Sequence, residues 1–70
     1  MTVIQRLDEA LRANGWSYDL EEMVFRNRGR QKMRHSRILA LVPGMTEDEI
    51  ASYQDYHWAK RMDQRAETAS

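Results

Sequence analysis

Few side chains in this chain of 70 residues could carry out acid–base or nucleophilic chemistry. His57 is the best candidate for a general acid or base, because an imidazole exchanges a proton near neutral pH. It lies beside Tyr56 and Trp58 on the edge of an apolar helix face, which is more typical of a packing residue. No serine has a recognisable base near it in sequence, and the glycines form no phosphate-binding loop. We therefore predict a protein that is not an enzyme, with no catalytic residues and no cofactor.

Metal and disulfide chemistry have little support in the composition. The chain has no cysteine, which excludes disulfides and thiolate ligands. The two histidines, His35 and His57, lie far apart, and neither has a second histidine or a carboxylate at the helical spacing of metal ligands. The sequence therefore predicts no metal site.

The strongest functional signal is the basic segment 25–37, which reads FRNRGRQKMRHSR and contains no acid. It holds six of the eleven Lys and Arg residues, while the eleven acids lie on either side of it and bring the net charge to zero. Because successive side chains of an extended chain point to opposite faces, five of these cations would line one face of a strand. The five are Arg26, Arg28, Arg30, Lys32 and Arg34, and the sixth cation is Arg37.

Three interpretations of the basic segment are open. Charge on a strand edge prevents edge-to-edge pairing and needs no partner. A row of arginines can also bind an acidic protein surface through the planar guanidinium groups, or contact the phosphates of nucleic acid. We favour protein over nucleic acid, because the flanking acids would oppose a polyanion. The predicted partner-binding residues are Arg26, Arg28, Arg30, Lys32, Arg34, Arg37 and Tyr56.

A chain of this length is expected to form one small domain with a small core. We assign residues 1–65 to that domain and residues 66–70 to a frayed tail. Domains of this size often need a supplement, and a second copy is the expected one where cysteines and metal ligands are missing. No apolar run is long enough to cross a bilayer. The sequence therefore predicts a cytoplasmic homodimer.

Hydrophobic spacing predicts that the chain begins with a helix. Apolar residues at i, i+3, i+4 and i+7 form one stripe over residues 2–14. Thr2 can cap the N-terminus, and Gly15 can end the helix in the left-handed conformation that glycine adopts readily. The stripe is predicted to face the core and consists of Val3, Ile4, Leu7, Ala10 and Leu11.

The next region favours a small sheet and hence an α+β fold. Trp16 and Tyr18 alternate with a polar residue, and Met23 and Phe25 would share one face of a second strand. Asparagine and glycine at 27–29 can then turn the chain into a third strand. The expected β-hairpin or meander has strands near 16–19, 23–27 and 30–33. The alternative is a helix over residues 18–28, which would make the protein all-α.

A short helix is predicted directly after the basic segment. Ser36 is a suitable N-cap for a helix over residues 37–41. The sequence Pro-Gly at 43–44 ends it, because the residue before proline is disfavoured in the helical conformation. The side chains expected to face inward are Ile38, Leu41 and Val42.

A long C-terminal helix has the most specific start signal in the chain. Thr46 and Glu49 have the spacing of a capping box, and the acids between them suit the positive end of a helix dipole. The helix is expected to run over residues 47–65. Its predicted inward face is Ile50, Ala51, Trp58 and Met62, with Tyr53 and His57 on the edge and Tyr56, Ala59 and Asp63 outward. A helix-turn-helix made from these two helices is rejected, because its recognition helix would present Glu47, Asp48 and Glu49 to DNA.

The segments GWSYD, MVFRNRGRQ and LALVPGMTEDEIASYQDY resemble small accessory open reading frames of bacteriophages, particularly transposable ones. The resemblance covers most of the chain. It implies a host-takeover protein that binds and blocks or redirects a host protein. The predicted function is thus a non-enzymatic interaction protein that modulates or inhibits a host protein through an Arg-rich ribbon and helix aromatics. The alternative is a small nucleic-acid-binding regulator.

Overall fold

The computed structural model describes residues 2–69 and the side chains of residues 2–65. The chain runs through α1 (Val3–Asn14), β1 (Ser17–Asp19), β2 (Val24–Arg26), β3 (Lys32–Met33), α2 (His35–Leu41) and α3 (Glu47–Ala69). The strands form one antiparallel sheet in the order β1-β2-β3, which confirms the α+β fold. The all-α alternative is wrong, because residues 18–28 contribute to two paired strands and the turn between them. None of the described helices is both long and apolar enough to span a membrane.

Helix α1 begins and ends at the predicted residues. The Gln5 amide donates to Thr2 Oγ1 at 3.2 Å, and the Thr2 amide donates to Gln5 Oε1 at 3.0 Å, so the two residues form a capping box. At the other end Gly15 is left-handed, with φ 73°. The Arg28 side chain crosses directly over Gly15, and its Nε donates to the Asn14 carbonyl at 3.2 Å. The helix end and the hairpin are therefore in contact at a position that only glycine suits.

Gly15→Ala is expected to lower the free energy of unfolding by about 1–2 kcal/mol, the cost of a left-handed non-glycine residue. The new Cβ would also collide with Arg28 Nε. Gly29→Ala is the matched control, because its Cβ would lie 3.5 Å from the nearest atom in ordinary contact. Urea titrations of both variants measure the difference. Equal stability of the two variants would contradict this account of Gly15.

The core lies where the helices pack on the sheet. Phe25, in the central strand, is buried between the helices, and Tyr18 lies opposite it in β1. The apolar stripe of α1 meets it through Leu7 and Leu11, as predicted. The buried side chains are Leu7, Leu11, Phe25, Met33, Ile38, Val42, Met45, Ile50 and Tyr53.

Helix α3 buries a different face from the predicted one. Ile50 is buried as expected, but Tyr53, which was predicted on the edge of the helix face, is also buried in the core. Its ring lies 5.7 Å from Phe25 and so fills the space above the sheet. Trp58 and Met62 are 51% and 45% exposed, so their predicted inward placement is wrong. Ala51 is also exposed, whereas the outward placement of Tyr56, Ala59 and Asp63 is confirmed.

Helix α2 begins two residues earlier than predicted. Its N-cap is Arg34, which has extended backbone and no side-chain capping bond, so the assignment of Ser36 as N-cap is wrong. Met33 is buried in the core, and α2 begins two residues after it, at His35. At the far end Val42 leaves the helix and enters the core, which leaves Leu41 exposed rather than inward.

The predicted capping box of α3 is confirmed. The Glu49 amide donates to Thr46 Oγ1 at 3.2 Å, and the Thr46 amide donates to Glu49 Oε1 at 3.1 Å. The other Glu49 oxygen accepts a bond from Arg6 Nη1 at 2.5 Å, which ties this helix start to α1. The helix continues to Ala69, beyond the expected end. The predicted frayed tail concerns residues 66–70, whose side chains lie outside the described part.

Thr46→Ala should lower the free energy of unfolding by about 1 kcal/mol, because one amide at the start of α3 loses its acceptor. Ser52→Ala is a suitable control, since Ser52 is exposed within the same helix. Thermal denaturation followed by circular dichroism compares the two. A melting temperature of Thr46→Ala equal to that of wild type would show that this cap contributes nothing.

Candidate functional site

The basic segment does not form a continuous strand. Strand β2 ends at Arg26, and the chain turns before β3 begins at Lys32. The Arg30 amide donates to the Asn27 carbonyl at 3.0 Å, and Arg30 has a left-handed φ of 66°. The prediction that five cations line one face is therefore wrong, because alternation requires an extended chain and two of the five lie in a turn.

Arg26 is engaged inside the sheet. Its side chain is only 16% exposed, and its Nε donates to Asp19 Oδ2 at 2.9 Å. A second nitrogen lies 3.2 Å from Glu22, and a third donates to the Arg30 carbonyl at 2.9 Å. The guanidinium bond lowers the pKa of Asp19. Arg26 thus holds the sheet together and presents little surface to a partner.

Two more of the predicted cations have contacts within the protein. Arg28 bonds the end of α1 through the Asn14 carbonyl. Lys32 Nζ lies 3.6 Å from the Glu22 carboxylate, in an exposed pair that contributes little to stability. The positive charge of the hairpin is therefore partly compensated by neighbouring acids and carbonyls.

Arg34 and Arg37 border an open groove between the hairpin and α2. Arg34 and Arg37 are exposed, and neither has an ion-pair partner among the side chains of residues 2–65. The groove has a volume of about 570 Å³. We call it the cationic groove, and it is lined by Asn27, Gln31, Lys32, Met33, Arg34, Ser36, Arg37 and Ala40. Three of the seven predicted partner-binding residues therefore meet at one place.

The other predicted residues lie outside the cationic groove. Arg30 is exposed in the hairpin turn, next to the groove residue Gln31. Tyr56 is exposed on α3, where its ring faces Lys60 Nζ at 5.0 Å from the ring centre. Tyr56 and the arginines thus do not form one surface.

A second cluster surrounds His57. Its ring lies 4.6 Å from Tyr53 and 5.3 Å from Tyr18, measured between ring centres. The Tyr53 hydroxyl donates to Asp8 Oδ1 at 2.6 Å. His57 Nε2 is buried and has no hydrogen-bond partner among the described residues. Asp8 was not predicted as a member of this cluster. The signal in the sequence was a carboxylate that borders the apolar stripe of α1.

Burial is the main cause of the pKa shifts of Tyr18, Tyr53 and His57. It raises the pKa of Tyr53, and the hydrogen bond to the Asp8 carboxylate raises it further. Burial also raises the pKa of Tyr18 and lowers the pKa of His57. All three groups are therefore held neutral near neutral pH, which suits packing.

No known family model, curated protein or solved structure matches this chain. Among the side chains of residues 2–65, no group of three or more histidine or acidic residues is placed to hold a metal ion. Two shallow clefts of about 440 Å³ and 330 Å³ flank His57, and Leu20 borders both. The cationic groove and the His57 cluster are therefore the two candidate sites of the described chain.

The lowered pKa of His57 predicts a loss of stability in mild acid. The unfolded chain binds the proton more tightly than the folded chain, so stability falls as pH drops below the unfolded value of about 6.5. Measuring unfolding free energy between about pH 7.5 and pH 5.5 should show a steeper fall for wild type than for His57→Phe. A change in packing shifts the whole curve, whereas a change in slope reports the proton. Parallel curves would contradict the prediction.

Proposed function

We propose that this protein is a non-enzymatic interaction protein whose cationic groove binds an acidic segment of another protein. The observation that supports the proposal is the pair Arg34 and Arg37, which are exposed and have no ion-pair partner among the described side chains. Arg26, by contrast, is already paired with Asp19 in β1 and with Glu22 in the turn that follows it. An exposed arginine that has no ion-pair partner within the protein can bind an acidic group of another protein.

The chemistry of the groove suits carboxylates. Arg34 is the N-cap of α2, Arg37 lies in its first turn, and both side chains line the groove. Each planar guanidinium can bind a carboxylate through two parallel hydrogen bonds. A volume of about 570 Å³ accommodates a few side chains rather than a long phosphate backbone. Two or three acidic residues of a partner segment would fill it.

The surroundings of the groove disfavour nucleic acid. The Glu47 carboxylate lies 2.8 Å from Nδ1 of His35, and His35 is the residue that follows Arg34 in the sequence. Glu22 approaches Lys32 on the hairpin side. A duplex that placed phosphates on the arginines would bring others close to these carboxylates, whose charge would repel them. A nucleic-acid-binding regulator therefore stays the second candidate.

The His57 cluster supports the non-enzymatic part of the proposal. The imidazole is packed among tyrosine rings, and its Nε2 is buried. A general acid or base must reach the proton that it transfers, and this nitrogen is buried although His57 borders two clefts. The phage origin, the host partner, the cytoplasmic location and the homodimer remain predictions from the sequence.

The groove is tested with a fluorescent glutamate-rich peptide, titrated with wild type and with Arg34→Glu and Arg37→Glu. Either reversal should weaken binding about tenfold or more, because a charge-assisted hydrogen bond is lost and a repulsion is gained. Arg12→Glu is the control, since it makes the same change of charge on an exposed α1 residue that does not line the groove.

Random single- and double-stranded DNA and RNA are titrated in parallel at about 50 mM and 200 mM salt. We expect weak or undetectable binding to all of them. Micromolar binding that collapses between the two salts would replace the protein partner by nucleic acid. Failure of the peptide to bind wild type at the lower salt would remove the carboxylate assignment.

A further inference from the structure

Helix α3 carries a second surface, separate from the cationic groove. Five exposed side chains follow one another along it in steps of four, three, four and three residues. This spacing keeps them on one side of the helix, as in the seam of a coiled coil. We call this surface the α3 stripe, and it consists of Ala51, Asp55, Trp58, Met62 and Arg65.

The centre of the α3 stripe is apolar. Trp58 and Met62 are four residues apart, about half exposed, and turned away from the core that Ile50 and Tyr53 occupy. Contiguous apolar side chains with charged residues around them are typical of an association surface. Asp55 lies on the N-terminal side of this pair and Arg65 on the C-terminal side, and neither has an ion-pair partner among residues 2–65.

We propose that the α3 stripe binds the α3 stripe of a second copy, with the two helices antiparallel. A two-fold axis at position 60 lies midway between Trp58 and Met62, and also midway between Asp55 and Arg65. It places Trp58 against the partner's Met62 and Asp55 against the partner's Arg65. Each contact occurs twice, so the stripe is complementary to itself, as a symmetric dimer requires.

The charges select the direction of the pair. In a parallel pair identical positions face one another, so Asp55 would meet Asp55 and Arg65 would meet Arg65. Like charges in such contacts are destabilising, whereas the antiparallel pair turns the same residues into two opposite-charge contacts. The order acid, tryptophan, methionine, arginine along the helix thus favours one arrangement over the other.

The expected dimer is of moderate affinity. The stripe from Ala51 to Arg65 is about 21 Å long at 1.5 Å per residue, which is short for a standard interface of about 800 Å² per partner. None of its residues lines the cationic groove. The dimer would therefore carry two free grooves, and its formation is independent of what the grooves bind.

Sedimentation equilibrium of the full chain, from about 10 μM to 500 μM, tests the proposal over the range expected for a small interface. Wild type should shift from monomer to dimer. Asp55→Arg and Arg65→Asp should each weaken association about tenfold or more, because each places two arginines or two aspartates in contact. Asp63→Arg is the matched control on another side of α3, and it should associate like wild type.

The double variant Asp55→Arg with Arg65→Asp exchanges the partners of both ion pairs and should recover wild-type association. Circular dichroism checks that the single variants fold. A wild type that stays monomeric at the highest concentration would overturn the dimer. A wild-type dimer with Asp55→Arg no weaker than Asp63→Arg, or no recovery in the double variant, would overturn the antiparallel stripe. Peptide binding at the groove is unaffected by either result.

Discussion

The small sheet depends on one partly buried cation. The Arg26 guanidinium bonds Asp19 in β1, pairs with Glu22 in the first turn and donates to the Arg30 carbonyl in the second turn. Strands of three, three and two residues supply few ladder hydrogen bonds, so such links between strand and turn matter more than in a larger sheet. The partly buried guanidinium in turn favours its acids, because removing them would leave a cation with little access to water and no ion-pair partner.

Local signals in the sequence predicted local structure well. Thr2, Gly15 and the Thr46 capping box act within one turn of the chain, so short motifs suffice to place them. The buried face of α3 depends instead on distant residues. Trp58 and Tyr53 are both suited to a core, and the sheet selects Tyr53 because Tyr18 and Phe25 present their rings to it. Hydrophobic periodicity alone cannot rank two adjacent apolar stripes on one helix.

The candidate site shows the same division. The excess of cations between residues 25 and 37 is plain in the sequence, but their arrangement is not. A turn after β2 separates them, and Arg26 and Lys32 pair with acidic residues of the same chain. Arg34 and Arg37 meet at a groove because α2 begins directly after β3, at a point set by burial of Met33. Charge content was therefore predictable, whereas the groove required the tertiary structure.

The connectivity of the sheet bears on how fast the chain folds. Both strand pairings join neighbours across short turns, and α1, β1 and α2 also form from local sequence. Loop closure of such short segments costs little entropy, and proteins dominated by local contacts fold in microseconds to milliseconds. Among the described residues, the most distant hydrogen bonds all involve α3: Arg6 bonds Glu49 across 43 positions, Asp8 accepts from Tyr53 across 45, and Arg61 donates to the Glu21 carbonyl across 40. Docking of α3 onto α1 and the sheet therefore closes the longest loops of the chain and carries the largest entropic cost.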